Sequence, residues 1–177
     1  QRCHAAFPWL VTWDDHEVDN DYANDRSEDL DPDFLVRRAA AYQAYWEHMP
    51  LRRSARPNGP HMRLYGRYDF AGLARFHVLD GRQYRDHQVC PRFGRGGSNV
   101  VDEQKCFSRL EPQRTLLGDE QENWLHAGLS ASQARWNLVA QQLLMAQMDR
   151  KPGPERQFWS DGWDGYPAAR ARLLQAI

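Results

Sequence analysis

Four ionisable residues in succession, Asp14-Asp15-His16-Glu17, close the apolar run FPWLVTW within the stretch TWDDHEVDND. Carboxylates are hard oxygen ligands for divalent and trivalent ions, and a neighbouring imidazole can bind or protonate an oxyanion. A second charged group, DGRQYR from Asp80 to Arg85, follows the apolar stretch FHVL, and its Arg82 offers a planar fork suited to phosphate. Acid, imidazole and guanidinium together are the parts of a metal-assisted phosphoester hydrolase. If the backbone stays extended through Asp14 and Asp15, their side chains point to opposite sides, so one ligates and the other orients a neighbour. The competing assignment is that these acids cap the next turn, where Asp is favoured. Two familiar metal patterns are absent, since HEVDN is not HExxH and DNDYAN lacks the glycine and downstream Glu of an EF-hand loop.

The elements that must position these groups follow from periodicity. Residues 7–13, aromatic and β-branched, suit a buried strand that ends on the acids. Residues 33–49 carry Leu35, Ala39, Tyr42, Trp46 and Met49 at three- and four-residue steps, an amphipathic helix capped by Asp31 before Pro32 and stopped by Pro50. Alternation from Met62 to Phe70, a break at Gly72 and a second run over Leu73–Leu79 predict a hairpin. PRFGRGGSNVVDEQKC reads as a long irregular loop. Asp119 and Glu122 resemble a capping box opening a helix through Leu129, with Trp124, Leu125, Gly128 and Leu129 inward. RWNLVAQQLLMA predicts a buried strand ending near Gln141–Gln142, and Pro167 opens a last helix with Ala169, Leu173, Leu174 and Ile177 on one face. Alternating strands and helices without repeats make the class α/β, or layered α+β. In such folds ligands gather at the carboxyl ends of strands, which is where both charged groups fall.

Composition narrows the function. The 177 residues are 41% hydrophobic and 27% charged, consistent with a single domain over 1–177, and a net charge of −1 with interspersed signs provides no basic stripe for nucleic acid. No run approaches the roughly 20 apolar residues of a membrane-spanning helix, and no signal peptide is visible. Cys3, Cys90 and Cys106 have no CxxC spacing, so neither a zinc site nor a disulfide framework can be read from them. The chain opens at Gln1 without a methionine and stops at Ile177 within a helical pattern, so it is expected to be truncated at both ends.

TWDDHEVDNDYA, AAAYQAYWEHMPLR, LARFHVLDGRQYRDHQ and ARWNLVAQQLLMAQ, followed by SDGWDGYPAAR, resemble successive blocks of the alkaline phosphatase D (PhoD-like) family across nearly the whole chain. That family lies among the calcineurin-like metallophosphoesterases. The resemblance implies part of a four-layer α/β/β/α sandwich, and an alkaline phosphatase or phosphodiesterase releasing phosphate through a metal-bound hydroxide. It further implies Ca2+ and Fe3+ as cofactors, small phosphoesters as substrates, and a periplasmic or secreted location. DDHE is similar to the superfamily's GNH(D/E) block. This puts Asp15 where a metal-binding Asn usually stands, His16 where the family's His contacts phosphate, and Glu17 where it can orient His16. Arg82 is the implied phosphate clamp; Gly81 departs from the commoner DTRQYR. The family's upstream Cys and GD block and its downstream GD(V/I)H block do not occur here, so the isolated residues are expected to bind metal poorly and turn over slowly or not at all. The alternative from another class is a non-catalytic metal-binding or interaction module that retains the family core.

Other chemistry-bearing residues have plainer expected roles. Cys3 and His4 are expected to pack, His77 to be a hydrogen-bonded core histidine, and His48, His61, His87 and His126 to lie in surface or loop positions. Trp46 and Trp124 are expected on helix core faces. Trp159, Trp163 and Tyr166 flank Asp161 and Asp164 in a loop whose residues are candidates for the substrate entrance.

Overall fold

A computed structural model describes residues 2–177. Its elements are α1 (Arg2–Ala6), α2 (Phe34–His48), β1 (Gly66–Phe70), β2 (Ala74–Val78), β3 (Val100–Asp102), α3 (Asp119–Ser130), β4 (Trp136–Ala140), β5 (Gln157–Trp159) and α4 (Pro167–Gln175), with single 3-10 turns at Arg53–Ala55, Phe107–Leu110 and Trp163–Gly165. The class is α/β.

The hairpin forms, its first strand beginning at Gly66 instead of Met62: β1 and β2 pair antiparallel, Gly66 opposite Val78 and Phe70 opposite Ala74. β4 then lies parallel to β2, so the carboxyl ends of these two strands share one edge of the sheet. A separate two-stranded sheet joins β3 to β5 antiparallel. At three residues each, these strands fall below the length at which alternation carries a signal, so the Gly-rich stretch reads as loop throughout. The Cys90–Cys106 disulfide, which spacing did not reveal, closes that stretch beside a small core of Val89, Val101 and Phe158.

Residues 7–13 are not a strand. Phe7, Trp9 and Leu10 are exposed, and the segment is tied by side chains rather than by a ladder: Thr12 Oγ donates to the Leu79 carbonyl and Gln142 Nε2 to the Trp13 carbonyl. Trp13 alone of the aromatic run is buried, stacked on Tyr42 with ring centroids 4.2 Å apart.

Helix α2 keeps its expected length and turns Tyr42 and Trp46 inward as expected, with its first turns shifted about one position. Its buried residues are Phe34, Arg38 and Tyr42, whereas Leu35 is exposed. Arg38 occupies the interior because its guanidinium donates to the carbonyls of Pro60 and Asn24, which satisfies a charge that apolar periodicity counts as outward. Asp31 accepts the Asp33 N–H instead of capping the helix. Helix α3 starts after Gly118, not from a capping box: Glu122 takes Arg172 and the Thr115 hydroxyl, and Leu125 and Gly128 face inward as expected. β4 is more exposed than expected: Trp136 and Leu138 lie with Phe70, Leu73 and Phe76 on an apolar sheet face open to solvent. In α4 Ala169 and Leu173 reach the core while Leu174 faces outward, and Ile177, beyond the helix, is exposed.

Candidate active site

The site is built on the shared edge of β2 and β4. Beyond β2, Asp80 folds the chain back by accepting the backbone N–H groups of Arg82 and Gln83, and Gln121 of α3 bonds both the N–H and the carbonyl of Asp80. Beyond β4, Gln142 reaches Thr12 and the Trp13 carbonyl, fixing the entry to the acidic cluster. The carboxyl ends of two parallel strands thus hold the two charged groups together, although the acidic segment is itself a loop.

The acids then turn. The Asp15 carbonyl accepts N–H groups from Val18 and Asp19, and Asp15 Oδ2 accepts the N–H of Asp21 at 2.9 Å. Glu17 accepts the Asp14 N–H at 2.8 Å, which closes the turn and leaves Glu17 off His16. Because the backbone bends at Asp15, the opposite-sides geometry of an extended pair does not arise. Both carboxylates approach Arg82, Asp14 Oδ1 at 2.7 Å from Nε and Asp15 Oδ1 at 3.5 Å from Nη2. Turn capping and convergence on one cation coexist.

Arg82 is buried, with four of its five side-chain N–H groups hydrogen-bonded. Its Nη1 and Nη2 donate to the two oxygens of Asp161 at 2.9 and 2.8 Å, and Nη1 also lies 3.5 Å from the Tyr22 carbonyl. All three nitrogens therefore face protein oxygens. With 1% of its side chain exposed and its remaining N–H turned toward Asp15 Oδ1, Arg82 is held as an internal cation, a placement that differs from the solvent-facing clamp expected of it. Asp161 is fully buried and also accepts from Arg85 at 3.0 Å and Gln88 at 2.9 Å.

Electrostatics follow the geometry. Burial pushes Asp161 toward the neutral form, but Arg85 and Arg82 outweigh it and hold the carboxyl below its ordinary range. Burial likewise works against charge on Arg82, and Asp161, Asp14 and Asp15 reverse it. Asp14 is raised, chiefly by desolvation, with Arg82 opposing. Burial also lowers His77, whose Nε2 lies 3.3 Å from Asn137 Oδ1, as a core histidine.

His16 is the outward member of the cluster: its side chain is 82% exposed, and Nε2 lies 3.8 Å from Asp15 Oδ2. Asp15, 6% exposed, keeps Oδ1 without a hydrogen bond. A hard oxygen with an imidazole beside it fits part of a centre for a hard cation. Among the described residues no three His, Cys, Asp or Glu side chains converge as a ligand set.

Three members of the network were not singled out from sequence as site residues: Asp161, Arg85 and Gln88. Asp161 was a candidate entrance residue, but Trp163 and Tyr166 beside it are buried in the main core with Leu79, Leu125 and Leu173. Two arginines three apart in DGRQYR and a distant SDG could have suggested a buried ion network only through knowledge of the contact. Of the remaining residues, Cys3 is exposed, and His4 packs edge-on against Trp9.

The sequence matches the PhoD-like phosphatase family over residues 1–177. It is 49% identical over 180 residues to alkaline phosphatase D of Bacillus subtilis (strain 168), a match that takes in all of this chain and 29% of that relative. A solved structure described as "Structure of PhoD" superposes with a TM-score of 0.88 at 48% identity, covering 98% of this chain and 32% of the other. The chain thus spans about a third of the length of the proteins it matches. With a family match along its full length and a close relative in both sequence and structure, this chain belongs to the PhoD-like phosphatase family.

Proposed function

We propose that this chain is the central part of the catalytic domain of a metal-dependent phosphoester hydrolase, an alkaline phosphatase or phosphodiesterase acting on small phosphoesters. The observation that carries the reading is the pairing of a buried, held carboxylate, Asp15, with an exposed imidazole, His16, at the carboxyl ends of two parallel strands. Asp15 serves as one ligand of the metal centre; calcium and iron are the ions that the family resemblance implies. A bound ion there supplies Lewis-acid polarisation of the phosphoryl oxygens.

The chain's own residues divide the remaining work. His16 faces solvent next to the ligand, where it can hydrogen-bond a phosphoryl oxygen as charge builds or give a proton to the departing oxygen. Arg82 faces Asp15: the guanidinium keeps a cation 3.5 Å from Asp15 Oδ1 while its stronger hydrogen bonds go to Asp14 and Asp161. Arg82 therefore acts on the reaction through Asp15, not by touching phosphate. The Cys90–Cys106 disulfide supports a location outside the reducing cytosol, periplasmic or secreted.

The test is hydrolysis of p-nitrophenyl phosphate and bis-p-nitrophenyl phosphate at alkaline pH by the full-length protein and its His16→Ala variant. Loss of a general acid is worth about 10²- to 10⁴-fold, so a folded variant that turns over at the parent's rate would remove His16 from the mechanism. A folded parent inactive on both esters with calcium and iron supplied would favour the non-catalytic module.

A further inference from the structure

We propose that Asp161 is a positioning residue for the metal ligand Asp15, an inference that rests on the function proposed above and adds a residue to it. Two separate chains of contact run from Asp161 to the two oxygens of Asp15. Through the first, Asp161 binds both Nη atoms of Arg82 at 2.9 and 2.8 Å, and Arg82 Nη2 stands 3.5 Å from Asp15 Oδ1. Through the second, Gln88 Nε2 donates to Asp161 Oδ1 at 2.9 Å and to the Asp21 carbonyl at 2.7 Å, and the Asp21 N–H donates to Asp15 Oδ2 at 2.9 Å. Asp21 holds a positive φ of 51°, a conformation that a non-glycine residue keeps only when its surroundings fix it, and the Gln88 bond is one of the contacts that do so.

The chemical reason lies in how a guanidinium shares its donors. An arginine fork prefers two parallel bonds to one carboxylate. Asp161 occupies that edge and Asp14 takes Nε, so Asp15 feels the positive charge without receiving a short hydrogen bond. Its Oδ1 lone pairs stay open to a cation. Were Asp161 neutral, the fork would be free to close on Asp15 and compete with the ion for the same oxygen.

The experiment is calorimetric titration of calcium and of iron into metal-free full-length protein, as wild type, Asp161→Asn and Asp164→Asn. Asp164 is the control: it lies in the same loop, is nearly buried and pairs with Arg170 at 2.6 Å, but it touches nothing in the Asp15 network. Residues that orient ligands typically govern affinity by 10- to 100-fold; Asp161→Asn is expected to weaken one of the two ions by about that factor and Asp164→Asn by less than about twofold. Equal affinities in the two folded variants would overturn the proposal. If Asp161→Asn does not fold, Gln88→Met severs the second route without changing charge. A weakening of about threefold or more, the worth of one hydrogen bond, would then support the proposal, and unchanged affinity would overturn it. Wild type that binds neither ion and hydrolyses neither ester would instead overturn the functional reading itself, an outcome distinct from a metal-binding, active wild type with unaffected variants.

Discussion

Arg82 and Asp161, 79 positions apart in the chain, meet as a two-pronged ion pair with N–O distances of 2.9 and 2.8 Å in the interior. Removing one partner of a buried pair leaves the other charge uncompensated, at a cost of about 3–5 kcal/mol. Arg82→Ala strips the fork from Asp161 and also from Asp14. Chemical denaturation should show a stability loss of that size, and a loss below about 1 kcal/mol would mean that the pair is not formed in solution.

The Cys90–Cys106 bridge spans 16 positions. Closing a loop near that length restricts the unfolded chain by about 3 kcal/mol. Reduction, or the double change Cys90→Ser with Cys106→Ser, should lower the thermal midpoint. Midpoints that match with and without reductant would contradict the bridge.

His77 is fully buried on β2, and burial lowers its pKa below the ordinary 6.5. Below pH 6.5 the unfolded chain takes up a proton at this position that the folded chain still refuses. The unfolded state therefore binds more protons, and stability falls as pH drops from 6.5 toward the lowered folded value. Thermal midpoints measured from pH 7 to pH 5 should decline, and His77→Gln should flatten the decline. A slope that His77→Gln leaves unchanged would assign it to other groups.

Gly118 precedes α3 with φ of +73°, and a Cβ there would approach the Tyr84 Cβ to 2.8 Å and its carbonyl oxygen to 2.9 Å. Strain and overlap act together, so Gly118→Ala should cost on the order of 1–3 kcal/mol in a denaturant titration. Stability equal to wild type would show that this junction relaxes freely.

Legibility in the sequence followed the length of each signal. The hairpin around Gly72, α3 and the Pro167 helix carry long periodic patterns, and all three formed, the hairpin's first strand starting at Gly66. Arg38 on the inner face of α2 was not legible because a satisfied buried cation looks polar in any hydropathy pattern. Residues 7–13 have the composition of a strand but are held by Thr12 and Gln142 side chains, contacts that composition does not encode. At the candidate site, the Asp14-Asp15-His16 cluster can be read from the sequence because its members are adjacent. Asp161, Arg85 and Gln88 cannot, since their role exists only once residues more than 70 positions apart are brought together.

The most direct test of the central claim is the rate of p-nitrophenol release by the full-length protein before chelation, after removal of metal, and after calcium and iron are returned, for wild type and Asp15→Ala. The account predicts that wild type loses activity with its metal and recovers it on return, whereas Asp15→Ala, folded, stays at least about 100-fold slower throughout. Wild type that hydrolyses the ester equally well without metal, or a folded Asp15→Ala that matches it, would contradict the assignment of Asp15 as a metal ligand in a phosphoesterase.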